Sequence, residues 1–478
     1  MFKHRISILL LCAFLLGHFN YVLAQTDADE DELPYTGLVY DDDRIAQLPV
    51  KPTLLTRDYK AVPSSVDLRP YCPTVRSQGQ YGTCTSWATS YAARTISEAI
   101  LNGWTDKTRI TREAFAPNFI YTQIKSPGDA NCQKGSCIDD ALDVMSEKGV
   151  PKLHEFDVMC AVSIPDEVFQ KARPNTIDDY FQVFSFFADA SQKITATKKS
   201  LAEKRPVMIG MNVPQSFMRS YGKDVWTKTE SDNSGGGHAM CVVGYDDNKY
   251  GGAFLLMNSW GTNWGNNGYI WVKYKDYASN VKYGFEMYVK KKSAPQPQPK
   301  PQPQPVYANK FSGSLRVQLS TGQYMNPVLN NGVYRMQGAY PSGSRYRIYL
   351  TNNEPAYVYV IASDATNAVS TVFPPDKLTS PALVYASNNI ALPDEKWYIE
   401  MDDTVGTDVM CVLYSASRLD IDDINRRIES ATGSFVQRVK NVLGSKCVSN
   451  PDFSSSSISF KAQSNASVVP VFVEIVHK

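Results

Sequence analysis

The stretch Gln78-Gly79-Gln80-Tyr81-Gly82-Thr83-Cys84-Thr85-Ser86-Trp87 decides how the rest of the chain is interpreted. A glutamine precedes a cysteine by six residues, and the cysteine opens an apolar pattern of helical spacing that ends at Asn102-Gly103. A thiol on the first turn of a helix lies near unpaired N–H groups and the positive end of the helix dipole, which both favour the nucleophilic thiolate. A buried, unreactive cysteine is the alternative interpretation.

A general base for Cys84 is predicted at His238. His154 lies in a charged stretch, whereas His238 follows three glycines and begins the apolar run 239–244. Glycines let the backbone pass close to a nucleophile, and a strand fixes the ring, although a single histidine is more often an ordinary core residue. Asn258 follows another apolar run, and its side-chain oxygen can accept a hydrogen bond from the imidazole and so orient it.

The same stretches offer groups that could stabilise the negative charge formed during acyl transfer. The Cys84 backbone N–H and the Gln78 side-chain amide belong to one turn and are suitable donors for an oxyanion. Trp260 and Trp264 follow Asn258, and an apolar ring over the His238–Asn258 bond would exclude water and strengthen that bond.

Taken in order, these motifs resemble the papain family of cysteine peptidases over residues 62–290. The motifs are Gln78-Gly79-x-x-Gly82-x-Cys84, Gly237-His238-Ala239 and Asn258-Ser259-Trp260-Gly261-x-x-Trp264-Gly265. The resemblance implies an α+β, two-lobed fold with Cys84 on a helical lobe and His238 on an antiparallel β lobe. It also implies that Cys84 attacks a peptide carbonyl and His238 protonates the leaving amine. Asn258 would orient His238, and Gln78 would bind the oxyanion.

Further implications of the resemblance concern substrates. Polypeptides are the expected substrates, with an endopeptidase as the default, and no cofactor or metal is expected. Substrate contacts are expected at Gly135, Ser136, Gly237 and Trp260. The chain departs from the family pattern because Thr85 and Ser86 separate Cys84 from Trp87, and because Tyr81 replaces a customary cysteine. These departures resemble an exported bacterial branch of the family.

The remaining composition limits the functional classes. A net charge of +1 gives no electrostatic case for a nucleic-acid partner or an anionic membrane. Three basic residues precede the apolar run 6–17, and Val22-Leu23-Ala24 fits a cleavage site. Residues 1–24 are therefore predicted to be a signal peptide, which makes the protein periplasmic or extracellular without stable membrane insertion. The alternative function is a catalytically inert scaffold that acts as a binding protein through its C-terminal domain.

Shifts in composition predict the domain boundaries. Residues 25–61 are acidic, and they are either a disordered leader or a short pro-segment that covers the cleft. The peptidase domain covers residues 62–292. A Pro/Gln linker covers residues 293–306, and its stretch from Pro295 to Pro305 would span about 30–35 Å as polyproline II. Residues 307–478 are predicted to form a β-sandwich-like domain with one helix over 421–443, and a cell-surface or matrix component is its expected partner.

Nine cysteines in an exported chain permit disulfides. With Cys84 kept free as the nucleophile and Cys241 in an apolar strand, the favoured pairs are Cys132–Cys137 and Cys72–Cys160. Cys411–Cys447 is a plausible third pair. The sequence alone cannot choose among the possible connectivities.

Overall fold

The computed structural model of the chain describes residues 33–51, 62–229, 232–290, 309–384, 388–394 and 397–478. The predicted signal peptide, residues 1–24, and the predicted linker, residues 293–306, lie outside these ranges. Every helix within the described ranges is too short or too polar to reach across a bilayer.

The first domain contains a helical lobe built around one continuous helix. This helix begins at Cys84, is π-helical over Trp87–Arg94, and ends where Gly103 adopts a left-handed conformation with φ 65°. Glycine favours that conformation because it lacks a Cβ atom, so the predicted helix end is confirmed. The α-helices of the described leader and first domain are α1 (Asp42–Ile45), which lies in the leader, α2 (Cys84–Ser86), α3 (Thr95–Asn102), α4 (Lys107–Arg112), α5 (Pro117–Ile124), α6 (Ile138–Glu147), α7 (Asp166–Ala172), α8 (Ala190–Ala202), α9 (Gln215–Met218) and α10 (Tyr274–Asn280).

The second lobe is an eight-stranded sheet with the order β2-β8-β3-β5-β6-β7-β4, and β1 pairs with β5. Its long central strand carries His238, and the next strand leads directly into Asn258. The strands are β1 (Ser65–Asp67), β2 (Asp179–Gln182), β3 (Val207–Pro214), β4 (Val225–Trp226), β5 (Ser234–Asp246), β6 (Ala253–Met257), β7 (Tyr269–Lys273) and β8 (Val281–Tyr288). The helical lobe precedes most of the strands, as the α+β prediction requires.

The C-terminal domain consists of two seven-stranded sheets. One has the order β17-β13-β9-β21-β20, with β10 also paired to β9 and β18 to β13. The other has the order β11-β12-β22-β19-β14-β15, with β16 also paired to β14. Buried residues of both sheets form one apolar core, which is the arrangement of a β-sandwich. Its elements are β9 (Asn309–Leu319), β10 (Tyr324–Met325), β11 (Pro327–Asn330), β12 (Val333–Tyr340), β13 (Arg345–Asn352), β14 (Ala356–Ser363), β15 (Val369–Phe373), β16 (Ala382–Leu383), β17 (Asn388–Leu392), β18 (Ile399–Glu400), β19 (Gly406–Ser415), α11 (Ile421–Ser430), α12 (Phe435–Leu443), β20 (Asp452–Phe453), β21 (Ser459–Ser464) and β22 (Val468–His477).

The prediction of a single helix over 421–443 is wrong. Two helices, α11 and α12, are separated at Gly433, which has φ 106°. Ser434 then caps the second helix by accepting a hydrogen bond from the Gln437 N–H while Gln437 bonds back to the Ser434 N–H. This capping box starts a new helix rather than continuing the old one.

The favoured disulfide pairs are also wrong. The structure joins Cys132 to Cys160, and Cys72, Cys137, Cys411 and Cys447 are free thiols. Cys132 and Cys160 both have positive φ angles. These local turns bring together two loops that are 28 residues apart, and the spacing of cysteines in the sequence carries no sign of them.

The two domains contact each other directly. Phe181, on the edge strand β2, and Tyr288, on the neighbouring strand β8, belong to one apolar cluster with Tyr357 and other buried residues of the C-terminal domain. An ion pair of 2.8 Å between Arg418 and Asp179 lies beside this cluster. The contact places the C-terminal domain at the β2 edge of the sheet of the first domain.

Candidate active site

Cys84 is the first residue of its helix and is completely buried. The backbone N–H of Ala239 donates to the Cys84 Sγ atom over 3.4 Å. This hydrogen bond joins the helical lobe to the central strand of the sheet, so the thiol sits where the two lobes meet. His238 is the residue immediately before that donor, which brings the predicted base beside the predicted nucleophile.

His238 is held from two directions. Its Nε2 atom is 2.7 Å from the Asn258 side-chain oxygen, and the Trp260 ring stacks on the imidazole with centroids 4.2 Å apart. Since the Asn258 oxygen can only accept, Nε2 carries the proton and Nδ1 is left as the basic nitrogen. Among the described residues, that buried Nδ1 has no hydrogen-bond partner, so it is available to a proton from a thiol or for transfer to a leaving group.

The predicted oxyanion donor, Gln78, is fully buried and fixed at both ends of its amide. Its oxygen accepts from the Ser259 hydroxyl over 2.6 Å. Its Nε2 atom donates to the Tyr81 carbonyl over 2.7 Å and to the Tyr35 carbonyl over 3.2 Å. A backbone carbonyl oxygen of the leader therefore occupies the position where Gln78 would donate to a substrate.

Residues 35–40 of the leader run through the cleft as an extended segment. The Ser136 N–H donates to the Gly37 carbonyl over 2.9 Å, and the Val39 N–H donates to the Ser136 carbonyl over 3.1 Å. On the other wall, the Leu38 N–H donates to the Gly237 carbonyl over 3.0 Å. The Trp260 Nε1 atom donates to the Tyr35 carbonyl over 2.9 Å.

The leader fits into the cleft because its backbone contacts the cleft walls at glycines, which have no Cβ atom. A Cβ atom on Gly135 would lie 2.1 Å from the Gly37 carbonyl oxygen, and one on Gly37 would lie 2.2 Å from that of Gly82. A Cβ atom on Gly237 would lie 2.6 Å from the Leu38 carbonyl oxygen. The four residues at which the resemblance predicts substrate contacts, Gly135, Ser136, Gly237 and Trp260, therefore all lie against the leader.

Burial beneath the leader sets the protonation state of the pair. Burial raises the pKa of Cys84 to about 11, although the Ala239 and Gly37 N–H groups act to lower it. Burial also lowers the pKa of His238 to about 4, against the opposing effect of the Asn258 hydrogen bond. The covered pair is thus a neutral thiol and a neutral imidazole, and the burial outweighs the helix-terminus effect that predicts a thiolate.

Anchors outside the cleft hold the rest of the leader. Asp42 pairs with Lys282 at 2.8 Å and accepts from the Tyr283 hydroxyl. Arg44 contacts three carboxylates of helix α6 at distances of 2.6, 2.5 and 3.0 Å, which belong to Asp139, Asp140 and Asp143. The leader is therefore fixed by charges as well as by backbone hydrogen bonds.

Sequence reasoning missed the leader residues and the support of Gln78 by Ser259. Within the cleft, the hydrogen bonds of the leader use its backbone, which no side-chain pattern reveals. The acidic cluster 41–43 was a usable signal, because its partners are Lys282 and the cap of α1, where the Asp41 side chain accepts from the Arg44 N–H. Within the described ranges, no three His, Cys, Asp or Glu side chains are arranged as metal ligands.

Comparison with known families agrees with this geometry. Residues 62–290 match the family described as "Papain family cysteine protease", and residues 339–418 match "Domain of unknown function (DUF4384)". Residues 62–290 of the chain belong to the papain family of cysteine proteases, and the domain carries the two-lobed fold of that family.

Relatives from other organisms match less than half of the chain. An uncharacterized peptidase C1-like protein of Acanthamoeba polyphaga mimivirus is 28% identical over 212 residues, which are 41% of this chain and 63% of the relative. Cysteine proteinase 3 of Entamoeba histolytica is 26% identical over 212 residues, which are 44% of this chain and 63% of the relative. The chain thus spans less than two thirds of the length of these relatives.

Among solved structures, Xylellain, a cysteine protease from Xylella fastidiosa, is 24% identical to this chain with a TM-score of 0.45. The match covers 54% of this chain and 97% of that protein.

Proposed function

We propose that the protein is an exported cysteine peptidase and that the described structure is its latent form. The observation that carries the proposal is the Asn258–His238 hydrogen bond beside Cys84 at a helix start, with Gln78 held so that it donates into the same cleft. The Cys132–Cys160 disulfide is typical of an oxidising compartment outside the cytoplasm, which supports export.

In the proposed reaction, His238 Nδ1 takes the proton of the Cys84 thiol as Sγ attacks the peptide carbonyl carbon. Gln78 Nε2 and the Cys84 backbone N–H donate to the resulting oxyanion. The C–N bond then breaks, the amine leaves with the proton from His238, and a thioester remains. Water, deprotonated by His238, attacks the thioester, which releases the acid and returns the proton to the Cys84 sulfur.

Asn258 and Trp260 act as positioning residues in this proposal. The Asn258 oxygen fixes the tautomer of His238, and the Trp260 ring covers the hydrogen bond between them. Gly135, Ser136 and Gly237 would bind a substrate backbone with the same groups that now bind the leader.

The course of the leader supports an endopeptidase. Tyr35 binds Gln78 and Trp260 at one end of the site, and Val39 binds Ser136 at the other. An extended chain can therefore pass Cys84 on both sides without meeting a wall. An inert scaffold that binds partners through its C-terminal domain is the alternative, and no contact among the described residues favours it.

The test compares the native chain with Cys84→Ala, each before and after removal of the leader, on an unfolded protein substrate. We expect internal cuts, identified by mass spectrometry, only from the native chain with the leader removed. We expect Cys84→Ala to lose at least about 10³-fold in rate. Equal thermal unfolding of the two proteins controls for folding.

Other outcomes of this experiment are equally informative. Removal of one or two residues from chain ends would mean an exopeptidase. Cuts by Cys84→Ala would exclude Cys84 as the nucleophile. The absence of cuts from both proteins after leader removal would favour the binding-protein alternative.

A further inference from the structure

Val50, near the end of the described leader, lies between the two domains. It pairs in parallel with Gln182 of strand β2 on one side and with Thr379 of the C-terminal domain on the other. The leader thus continues the edge of the peptidase sheet and connects it to the β-sandwich. Nothing in the family resemblance assigns a role to the C-terminal domain, so this contact is the feature that requires an explanation.

The backbone groups around Val50 are divided cleanly between the domains. The Val50 N–H donates to the Leu378 carbonyl over 2.6 Å, and the Val50 carbonyl accepts from the Ser380 N–H over 2.8 Å. The groups of its neighbours face the other way, because the Gln182 N–H donates to Pro49 and the Lys51 N–H donates to Gln182. Backbone alternation in an extended chain produces this division.

The receiving loop, residues 376–380, is itself fixed. The Asp376 carboxylate accepts from the Leu378 N–H over 2.9 Å and from the Thr379 hydroxyl over 3.0 Å. Ser380 is fully buried, and its hydroxyl oxygen accepts from the Ala382 N–H over 3.2 Å. The loop therefore presents its two backbone groups in a set geometry and loses little conformational freedom when it binds the leader.

Side chains of the peptidase domain also fix the leader at this contact. The Gln182 side chain donates to the carbonyls of Ile45 and Leu48 over 2.9 and 2.8 Å. Lys51 lies 3.4 Å from both Glu203 and Glu286, and Glu286 is fully buried. If the leader bound only the peptidase domain, the backbone N–H and carbonyl of Val50 would lose their partners in the C-terminal domain.

We propose that the C-terminal domain is a clamp that retains the leader in the cleft of the latent enzyme. The inference rests on the proposed function, and it assigns the C-terminal β-sandwich a role in keeping the same chain latent. Fixing the leader at Val50 leaves nine residues, 41–49, between the clamp and Tyr40. That short tether keeps a high effective concentration of the cleft-binding segment whenever the segment lifts from Cys84.

The decisive variant is Val50→Pro in the full chain. Proline removes the N–H that binds Leu378 while the donors and acceptors facing Gln182 stay in place. The readout is the rate at which iodoacetamide labels Cys84 with the leader uncut. We expect labelling at least about 5-fold faster than in the native chain. Val39→Pro, which removes the donor to Ser136 in the cleft itself, should also accelerate labelling and shows that the assay detects an open cleft.

A second pair of variants tests the clamp from the C-terminal domain. Asp376→Ala removes the acceptor that fixes the loop and should accelerate labelling. Asp364→Ala is the matched control, because Asp364 accepts from the Thr366 N–H and hydroxyl in the same kind of turn. It should label at the native rate. If Val50→Pro does not fold, the comparison of Asp376→Ala with Asp364→Ala still tests whether the C-terminal domain retains the leader.

Cleavage of the leader at a protease site introduced into residues 52–61, followed by gel filtration, separates the two proposals. Two results together would overturn the clamp and leave the proposed peptidase function intact. One is equal peptide hydrolysis by all variants after leader removal. The other is a native labelling rate for uncut Val50→Pro and Asp376→Ala. No hydrolysis by any freed protein would instead overturn the proposed function.

Discussion

At the scale of single residues, the state of Cys84 depends on what covers it. Burial accounts for the thiol pKa of about 11 and for the His238 pKa of about 4. When the leader leaves, water returns to both groups and favours the charged form of each. The pKa of the Cys84 thiol must therefore fall and that of His238 must rise, which moves the pair toward a thiolate and an imidazolium.

We expect this change in the pH profile of Cys84 alkylation. With the leader in place, the rate should climb only as the pH approaches 11. After leader removal, the inflection should move down by at least about two pH units. Subtracting the labelling of Cys84→Ala under the same conditions removes the contribution of the other thiols. An unchanged inflection would show that the leader does not control the thiol.

The same residues show what the sequence could predict. Gln78, Cys84, His238 and Asn258 were predicted because their chemistry needs specific side chains at places where the backbone is regular or glycine-rich. The structure brings all four to one cleft. The ionisation of Cys84 was not predicted correctly in the covered form, because the helix terminus is a local feature whereas burial comes from a segment about 45 residues earlier in the chain.

At the scale of elements, the leader is a segment whose structure the sequence patterns do not predict. Within its described part, residues 33–51, the leader has one helix, α1, of four residues, and the extended part has no repeating apolar pattern. Hydrophobic periodicity cannot detect such a segment, since backbone hydrogen bonds and ion pairs hold it, and Leu38 and Ile45, its buried apolar residues within 33–51, are too few to set a period. The sequence leaves two interpretations of residues 25–61 open, and the hydrogen bonds of residues 37–39 across the cleft are the reason for proposing a pro-segment.

Arg44 anchors that segment through three carboxylate partners. Asp139, whose side chain is fully buried, pairs with it. Burial raises the pKa of Asp139 to about 6, and Arg44 is the main influence that holds this pKa down. Removing the guanidinium leaves three neighbouring carboxylates of α6 without their common cation.

We therefore expect Arg44→Ala to weaken the leader and to raise the labelling rate of Cys84 about 10-fold in the uncut chain. Arg44→Lys, which keeps a charge but cannot reach three carboxylates at once, should be intermediate. Arg112→Ala is the control, because Arg112 is exposed and pairs only with the adjacent Glu113 among the described residues. An equal rate in Arg44→Ala and native protein would show that the anchor does not limit opening.

At the scale of the whole molecule, the sequence correctly predicts the two kinds of domain but not how they meet. A Pro/Gln stretch of this length predicts a spacer of about 30–35 Å. Packing overrides that expectation, since Phe181 and Tyr288 are buried with Tyr357 across the domain boundary. No local pattern marks these three aromatic residues as interface residues, because each also fits the buried face of its own strand.

The interface, rather than the linker, should therefore hold the domains together. We expect a chain cut at a protease site introduced within residues 295–305 to elute from gel filtration as one particle of uncut size. Arg418→Glu places a carboxylate against Asp179, which repels it, and should make the cut halves separate at lower urea concentration than the cut native chain. Arg345→Glu is the control for charge, since Arg345 is exposed and pairs within the sandwich with Glu400. If the cut native halves separate without denaturant, the linker is the connection that matters, and a clamp on the leader could act only while the linker is intact.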